Sequence, residues 1–100
     1  MITIIAKLQA QPGKEAQMRS ALEKMVAAVS ASEPDVPRYE LHTSPDDPTL
    51  FYFYEQYATD DAQTAHRSTD HMKQLGADLG DLAAARPEIT RLTWIAGVAR

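Results

Sequence analysis

The chain begins with a segment in which apolar and mixed side chains alternate. Successive side chains of a β-strand point to opposite faces, so a period of two is typical of a half-buried strand. One face of residues 2–10 is apolar throughout and consists of Ile2, Ile4, Ala6, Leu8 and Ala10. The sequence Gln-Pro-Gly at 11–13 breaks the pattern, so we predict that the first strand ends there.

The period changes to that of a helix over residues 14–32. Apolar side chains now recur at spacings of three and four, which places them on one stripe of a helix. The stripe consists of Met18, Ala21, Leu22, Met25 and Val29. Methionine also packs softly around ligands, but at this spacing the two methionines are better explained as core. Pro34 and Pro37 end the helical pattern, because proline lacks an amide proton and restricts the residue before it.

Two further strands are predicted over residues 38–44 and 49–57. The turn residues Pro-Asp-Asp-Pro at 45–48 join them as an antiparallel hairpin. Five of the nine residues in 49–57 are aromatic, and both faces carry side chains suited to burial. Helices cover only one face of such a sheet, so a second copy of the chain is expected to cover the other.

The rest of the chain predicts two helix starts and a last strand. Thr59 and Ser68-Thr69-Asp70 are typical of helix N-termini, because hydroxyl groups cap free amides and carboxylates favour the positive end of the helix dipole. Arg86-Pro87 closes the helical region. A final strand is predicted over residues 88–98, with one face formed by Leu92, Trp94, Ala96 and Val98.

The predicted order of elements is therefore β-α-β-β-α-β, without a linker, repeat or low-complexity segment. This order packs as a four-stranded antiparallel sheet with helices on one face, which is the ferredoxin-like α+β fold. We predict a single domain over residues 1–100. We also predict a homodimer formed through the open sheet faces of two copies.

Composition narrows the possible functions. The chain has 100 residues, with 10 Lys and Arg against 14 Asp and Glu, and a formal net charge of −4. This balance argues against nucleic acid and anionic membranes as partners, because both are bound by clustered cations. No stretch approaches the roughly 20 apolar residues that cross a bilayer, and the N-terminus lacks a signal-peptide pattern. A cytoplasmic location is therefore expected.

Several kinds of chemistry have no visible residues to support them. Cysteine is absent, which excludes disulfides, thiolate nucleophiles, iron–sulfur clusters and zinc sites built from cysteines. The glycine-rich motifs of nucleotide, nicotinamide and flavin sites are absent, as is Gly-x-Ser-x-Gly. The remaining candidates are the three histidines, the carboxylates and the aromatic side chains.

Two of these residues are candidates for proton transfer. Glu55 shares a strand face with Phe53 and Tyr57, where poor solvation would raise its pKa toward a range useful for catalysis. His66 lies on the apolar side of a predicted helix, where an imidazole can exchange a proton near neutral pH. The plainer alternatives are a glutamate in solvent or paired with arginine, and a half-buried histidine bonded to a backbone carbonyl.

No metal site is predicted from the histidines. His66 and His71 are five residues apart across a helix break, which is a poor spacing for two ligands, and no third ligand is apparent. His71 could equally cap the helix that follows.

The aromatic side chains would suit a flat aromatic small molecule, although an aromatic core explains any single ring equally well. The candidate substrate-binding residues are Tyr39, Phe53, Tyr57, His71 and Trp94.

Several segments together resemble the antibiotic biosynthesis monooxygenase family, and the resemblance covers nearly the whole chain. They are Gln-Pro-Gly-Lys at 11–14, Tyr-Glu-Leu-His at 39–42, Tyr-Glu-Gln-Tyr at 54–57, Ala62 with His66, and Ser-Thr-Asp-His-Met-Lys at 68–73. The pattern is most similar to the branch of small quinol monooxygenases. It departs from the family at Tyr57, where many members have tryptophan, and at Val36-Pro37, which replaces a glycine. The haem-degrading branch is excluded, because its haem-ligating histidine would fall near Gly76 and its helix tryptophan on His66.

The resemblance implies a dimeric α+β barrel in which two ferredoxin-like sheets pack face to face. Members of the family oxidise polycyclic phenols, anthrones or quinols with O₂, often without metal or flavin. A cofactor-independent monooxygenase with a small aromatic substrate is therefore expected. By motif position, Glu55 and His66 are the polar residues of a pocket between helices and sheet, with Tyr39 and Tyr57 in its lining. His66 is then the expected base, and Glu55 is expected to orient it or stabilise its cation.

Other functions fit the same fold, because one fold supports many chemistries. An isomerase or cyclase that acts on a small carbonyl compound would use a similar pocket without consuming oxygen. A non-catalytic dimer would bind an aromatic ligand without turnover. A purely structural dimer would have Glu55 and His66 paired and sealed off.

Overall fold

A computed structural model describes all 100 residues and gives seven regular elements. In chain order they are β1 (Ile2–Gln9), α1 (Glu15–Ser32), β2 (Arg38–Thr43), β3 (Leu50–Tyr57), α2 (Asp60–Arg67), α3 (Asp70–Leu82) and β4 (Glu88–Thr93).

The four strands form one antiparallel sheet in the order β2-β3-β1-β4. Strand β1 lies at the centre, and its residues Ile2 and Gln9 pair with Tyr57 and Leu50 of β3. The helices pack on one face of the sheet, so the predicted ferredoxin-like α+β fold is confirmed. No helix is long and apolar enough to cross a membrane.

The core lies between the sheet and α1 and is built from the two apolar patterns of the sequence. The inward face of β1 and the apolar stripe of α1 are both buried, and Met18 and Leu22 are 0% exposed. Burial of such side chains supplies the main favourable term in folding, at roughly 25 cal/mol per Å² of apolar surface. The buried members of this core are Ala6, Leu8, Ala10, Met18, Leu22, Met25, Val29, Phe51, Phe53 and Leu75.

The second helical region is divided into α2 and α3, as the two start signals predict. The Thr59 hydroxyl accepts a hydrogen bond from the Ala62 amide at 3.1 Å, and that of Thr69 accepts one from the Met72 amide at 3.2 Å. Each hydroxyl satisfies one of the backbone donors that a helix leaves free at its N-terminus. The chain therefore changes direction between Arg67 and Asp70, which decides where the two histidines of this region lie.

The last strand is shorter than predicted. It ends at Thr93, and the predicted extension to residue 98 is wrong. Thr93 pairs with Ile2, the first residue of β1, so β1 has no further residue with which the following segment can pair. Trp94, Ile95 and Val98 are accordingly exposed, at 52%, 87% and 79%.

The face of the sheet that points away from the helices is only partly covered in the single chain. We call it the outer face; the strand registers place Ile5 opposite Tyr54 and Thr3 opposite Gln56 on it. Thr3 is 4% exposed, and its hydroxyl has no hydrogen-bond partner. Ile5 and Tyr54 are only half-buried, so this part of the outer face remains open to contacts.

Candidate active site

A cavity of about 560 Å³ lies between the sheet and helices α2 and α3. Ten of its 16 lining residues are hydrophobic, so the walls are mainly apolar with a few polar groups. Volumes of roughly 300–1,000 Å³ and this kind of lining are typical of sites for small molecules. The cavity is lined by five of the predicted site residues, namely Tyr39, Phe53, Glu55, Tyr57 and His66.

Glu55 and Tyr57 form a buried pair on the cavity wall. They are two residues apart on β3 and so share one face, and the Tyr57 hydroxyl donates a hydrogen bond to Oε1 of Glu55 at 2.5 Å. Burial raises the pKa of Glu55 to about 7; the Tyr57 hydrogen bond opposes this rise and the charge of Glu33 adds to it. Burial and the neighbouring Glu55 raise the pKa of Tyr57, so its phenol stays protonated.

His66 lies on α2 with its side chain only 5% exposed. Its Nδ1 atom is 3.0 Å and 3.1 Å from the two carboxylate oxygens of Glu33, whereas Nε2 has no hydrogen-bond partner in the protein. A carboxylate accepts hydrogen bonds, so it favours the neutral tautomer with its proton on Nδ1 and leaves the Nε2 lone pair free. Burial lowers the pKa of His66, and the charge and hydrogen bond of Glu33 partly oppose this effect.

Glu33 therefore has the role toward His66 that we expected of Glu55. The expectation that Glu55 orients His66 is wrong, because the Glu55 carboxylate bonds to Tyr57 and the His66 ring bonds to Glu33. Glu33 is the C-cap residue of α1, and 33 positions separate it from His66. In the sequence Glu33 is only a polar residue before a proline, so the pattern does not predict its contact with His66.

His71 lies behind His66 rather than in the cavity. Its Nε2 atom is 2.6 Å from Oε2 of Glu33, and the cavity lining does not include it. The expectation that His71 contacts substrate is therefore not supported by its position. It is also not the helix cap, because Thr69 caps α3.

The ligand atoms of Glu33, His66 and His71 all lie within 4.8 Å of one another. Our argument that the spacing of the two histidines keeps them apart is wrong, because α2 ends at Arg67 and α3 starts in a new direction at Asp70. Two imidazoles and one carboxylate are a donor set that binds divalent transition metals in other proteins.

The aromatic candidates divide into two groups. Tyr39 and Phe53 lie in the lining, with their rings stacked at a centroid distance of 4.6 Å. The Tyr39 hydroxyl has no partner within the protein, and burial raises its pKa, so it remains a neutral hydrogen-bond donor. Trp94 follows the end of β4 and is 52% exposed, and it does not line the cavity in the single chain.

Two arginines lie among the lining residues, and neither was singled out from the sequence. Arg67 and Arg86 are exposed, and neither side chain forms a salt bridge. The cavity thus combines an apolar interior, a buried carboxyl–phenol pair, an oriented imidazole and cationic groups near solvent. This arrangement suits an aromatic molecule that loses a proton on binding.

Taken together, fold and site define a small ferredoxin-like α+β domain with a cavity equipped for proton transfer. The antibiotic biosynthesis monooxygenase family matches residues 1–77, and the chain belongs to this family. None of the curated proteins matches the chain.

Several solved structures are similar over nearly the whole chain. A protein from Caulobacter crescentus that bears the family name is 33% identical, with 95% of this chain and 90% of that chain covered and a TM-score of 0.89. A Pseudomonas aeruginosa protein is 30% identical, with 95% and 94% covered and a TM-score of 0.87. A protein from Nitrosomonas europaea, also named after the family, is 26% identical, with 96% and 100% covered and a TM-score of 0.87.

Proposed function

We propose that the protein is a cofactor-independent monooxygenase that oxidises a quinol, an anthrone or a similar aromatic phenol with O₂. One observation carries the proposal: Glu33 binds one ring nitrogen of His66 beside an apolar cavity and leaves the other nitrogen free. Membership of the antibiotic biosynthesis monooxygenase family supports oxidation as the reaction type. Assignment to the quinol branch of the family is part of this proposal.

The first step is removal of a proton from the bound substrate. Nε2 of His66 takes the proton of the phenol or of the anthrone methylene, and the imidazolium that forms keeps its hydrogen bond to the Glu33 carboxylate. General base catalysis of this kind typically contributes a factor of about 10²–10⁴ in rate. Tyr39, whose hydroxyl is free, donates a hydrogen bond to the oxygen that becomes negative.

The substrate anion then reacts with O₂ directly. One electron passes from the anion to O₂, and the substrate radical and superoxide combine through a new carbon–oxygen bond. Protonation of the resulting peroxide gives a hydroperoxide. At an anthrone methylene, loss of the remaining carbon-bound proton and cleavage of the O–O bond give a carbonyl group and water. All four electrons that reduce O₂ to the carbonyl oxygen and water come from the substrate, so the balance needs no other reductant.

Glu55 is suited to supply the proton to the peroxide. With a pKa of about 7, a substantial fraction of its carboxyl groups carries a proton at neutral pH, and Tyr57 holds the group in place. Acid and base are thus separate groups: His66 receives the first proton and Glu55 delivers the second. Environments that move the pKa values of two neighbouring groups in different directions are typical of such pairs.

A homodimer through the outer faces is also part of the proposal. The half-buried side chains of Ile5, Tyr52 and Tyr54 support it, because a second copy would cover them. The cavity lies on the opposite side of the sheet, so each copy would hold its own site.

Oxygen consumption tests the proposal. The metal-free protein is mixed with a panel of quinols and anthrones, and O₂ uptake is compared with His66→Ala and with His42→Ala, a change of the exposed histidine on β2. We expect uptake with at least one substrate, a loss of about 10²-fold or more in His66→Ala, and an unchanged rate in His42→Ala. Equal rates in all three proteins would contradict the assignment of His66 as the base.

The other functions predict different outcomes of the same experiment. Turnover of a carbonyl compound without oxygen uptake would indicate an isomerase or cyclase. Tight binding of an aromatic ligand without turnover would indicate a binding protein. The purely structural dimer is disfavoured, because Glu55 and His66 line the cavity instead of being sealed from it.

A further inference from the structure

We propose that Glu33, His66 and His71 form a binding site for a divalent transition-metal ion such as Zn²⁺, and that an ion bound there prevents His66 from acting as a base. The first part stands on the geometry of the three side chains. The second part rests on the proposed function.

The three ligands are brought together by the fold rather than by the sequence. Glu33 caps the C-terminus of α1, His66 lies near the end of α2, and His71 lies in the first turn of α3. The two nitrogen atoms and a carboxylate oxygen lie within 4.8 Å of one another, and Nδ1 of His66 is almost equidistant from the two Glu33 oxygens at 3.0 and 3.1 Å. Side chains held by separate rigid elements need little reorganisation on binding an ion.

The distances are close to those of a coordination shell. Zinc–nitrogen and zinc–oxygen bonds of about 2.0–2.2 Å in a tetrahedral shell place neighbouring ligand atoms roughly 3.3 Å apart. The His66–Glu33 separations are already within about 0.3 Å of this value. The 2.6 Å between Nε2 of His71 and Oε2 of Glu33 has to widen by about 0.7 Å. Rotation of the half-buried His71 ring can supply this change.

The charge of the cluster favours a cation. The Glu33 side chain is 10% exposed, and its only ionic partners are the two imidazoles. No lysine or arginine nitrogen lies within salt-bridge distance of its carboxylate. A buried carboxylate without a full positive partner is costly, and a bound dication would supply that charge.

The donor set decides the class of ion. Magnesium and calcium prefer shells of oxygen ligands, whereas imidazole nitrogen suits zinc, iron, nickel and copper. Access is available from the surface, because the His71 side chain is 22% exposed and lines a shallow pocket on the α1–α3 side. An ion can therefore reach the cluster without passing through the substrate cavity.

Occupation of the site would change the tautomer of His66. An ion bound at Nδ1 needs the lone pair of that nitrogen, so the neutral ring must carry its proton on Nε2. The nitrogen that the proposed mechanism uses as the base is then already protonated. Metal-free protein would be active and metal-bound protein inactive, although the ion would not contact the substrate.

Calorimetric titration of the protein with Zn²⁺ tests the binding, with Glu33→Gln, His71→Gln and the matched control His42→Gln. We expect one Zn²⁺ per chain. Loss of either ligand should weaken binding by more than the roughly 10–100-fold that loss of an outer-shell partner costs, and His42→Gln should bind like the unchanged protein. Circular dichroism of each metal-free variant checks its folding, and Co²⁺ as a second probe should give visible absorption bands of a nitrogen-containing shell.

Three results would overturn the site: no binding at millimolar Zn²⁺, equal affinity in both ligand variants and the unchanged protein, or binding of Mg²⁺ as tight as that of Zn²⁺.

Oxygen uptake tests the second part of the proposal, that a bound ion prevents His66 from acting as a base. We expect saturating Zn²⁺ to abolish uptake in the unchanged protein and a chelator to restore it, and full activity of the zinc-bound protein would overturn this part. Absence of uptake in every form would refute the proposed function and leave the binding result standing.

Discussion

Replacement of Glu55 by glutamine should make the protein more stable above neutral pH and leave its stability unchanged near pH 4. Glutamine keeps the shape of the side chain and an oxygen that can accept the Tyr57 hydrogen bond, but it cannot ionise. The variant therefore isolates the cost of the buried negative charge. The expected effect is the opposite of the usual loss of stability on changing a buried polar residue.

The magnitude follows from the pKa of Glu55. Its ordinary value of 4.5 in the unfolded chain rises to about 7 in the folded protein, mainly because of burial. Between these values the folded state binds more protons than the unfolded state, so the free energy of unfolding falls as pH rises through this range. A pKa difference of one corresponds to about 1.4 kcal/mol, so the total penalty above pH 7 is about 3 kcal/mol.

Urea denaturation followed by far-ultraviolet circular dichroism measures this effect. Both proteins are unfolded at several pH values between 4 and 8.5, at one protein concentration, because association also changes apparent stability. The difference between the Glu55→Gln variant and the unchanged protein should grow from near zero at pH 4 to about 3 kcal/mol at pH 8.5. A difference that does not vary with pH would refute the reasoning, since it would mean that Glu55 ionises equally easily in both states.

Three further predictions concern the helix cap, the dimer and the arginines. Thr69→Ala should remove the cap of α3 and lower stability by about 1 kcal/mol, or roughly 4–8 °C in a thermal melt, while Thr64→Ala on the exposed side of α2 should have less effect. Ile5→Asp should convert the proposed dimer to a monomer in sedimentation velocity, whereas Ala16→Asp on the exposed side of α1 should not; a dimer that survives Ile5→Asp would contradict association through the outer face. Arg86→Ala should lower kcat/KM for phenolic substrates about two- to five-fold at low salt and less at high salt, because the arginine lies near the anion that forms in the cavity; an unchanged kcat/KM would exclude this role.

Most of the fold could be predicted from local patterns. The apolar alternation of β1 and the stripe of α1 are each complete within one element, and both faces are buried as predicted. The threonine caps at 59 and 69 are also local signals, so the division between α2 and α3 was visible. The end of β4 could not be predicted in this way, because it depends on the register with β1 rather than on the alternation of residues 94–98.

The site could be predicted only in part for the same reason. Glu55 and Tyr57 share a strand face, so their position follows from the period of two. The contacts of His66 do not follow from any spacing, because its partner Glu33 is brought to it by the packing of α1 against α3, the helix that follows α2. His71 was a candidate substrate-binding residue, but its ring lies against Glu33 and outside the cavity lining.

In the proposed mechanism Glu33 holds His66 as a neutral imidazole with a free Nε2 beside the cavity. This protonation state can be measured by ¹⁵N NMR of the histidine rings in metal-free protein. A protonated and an unprotonated ring nitrogen give separate signals, and His66→Ala and His71→Gln assign them. We expect that near pH 7.5 His66 carries its proton on Nδ1, and that Glu33→Gln reduces the population of this tautomer. A proton found on Nε2 in the unchanged protein would contradict the assignment of His66 as the base, because Nε2 would then have no lone pair free to accept the substrate proton.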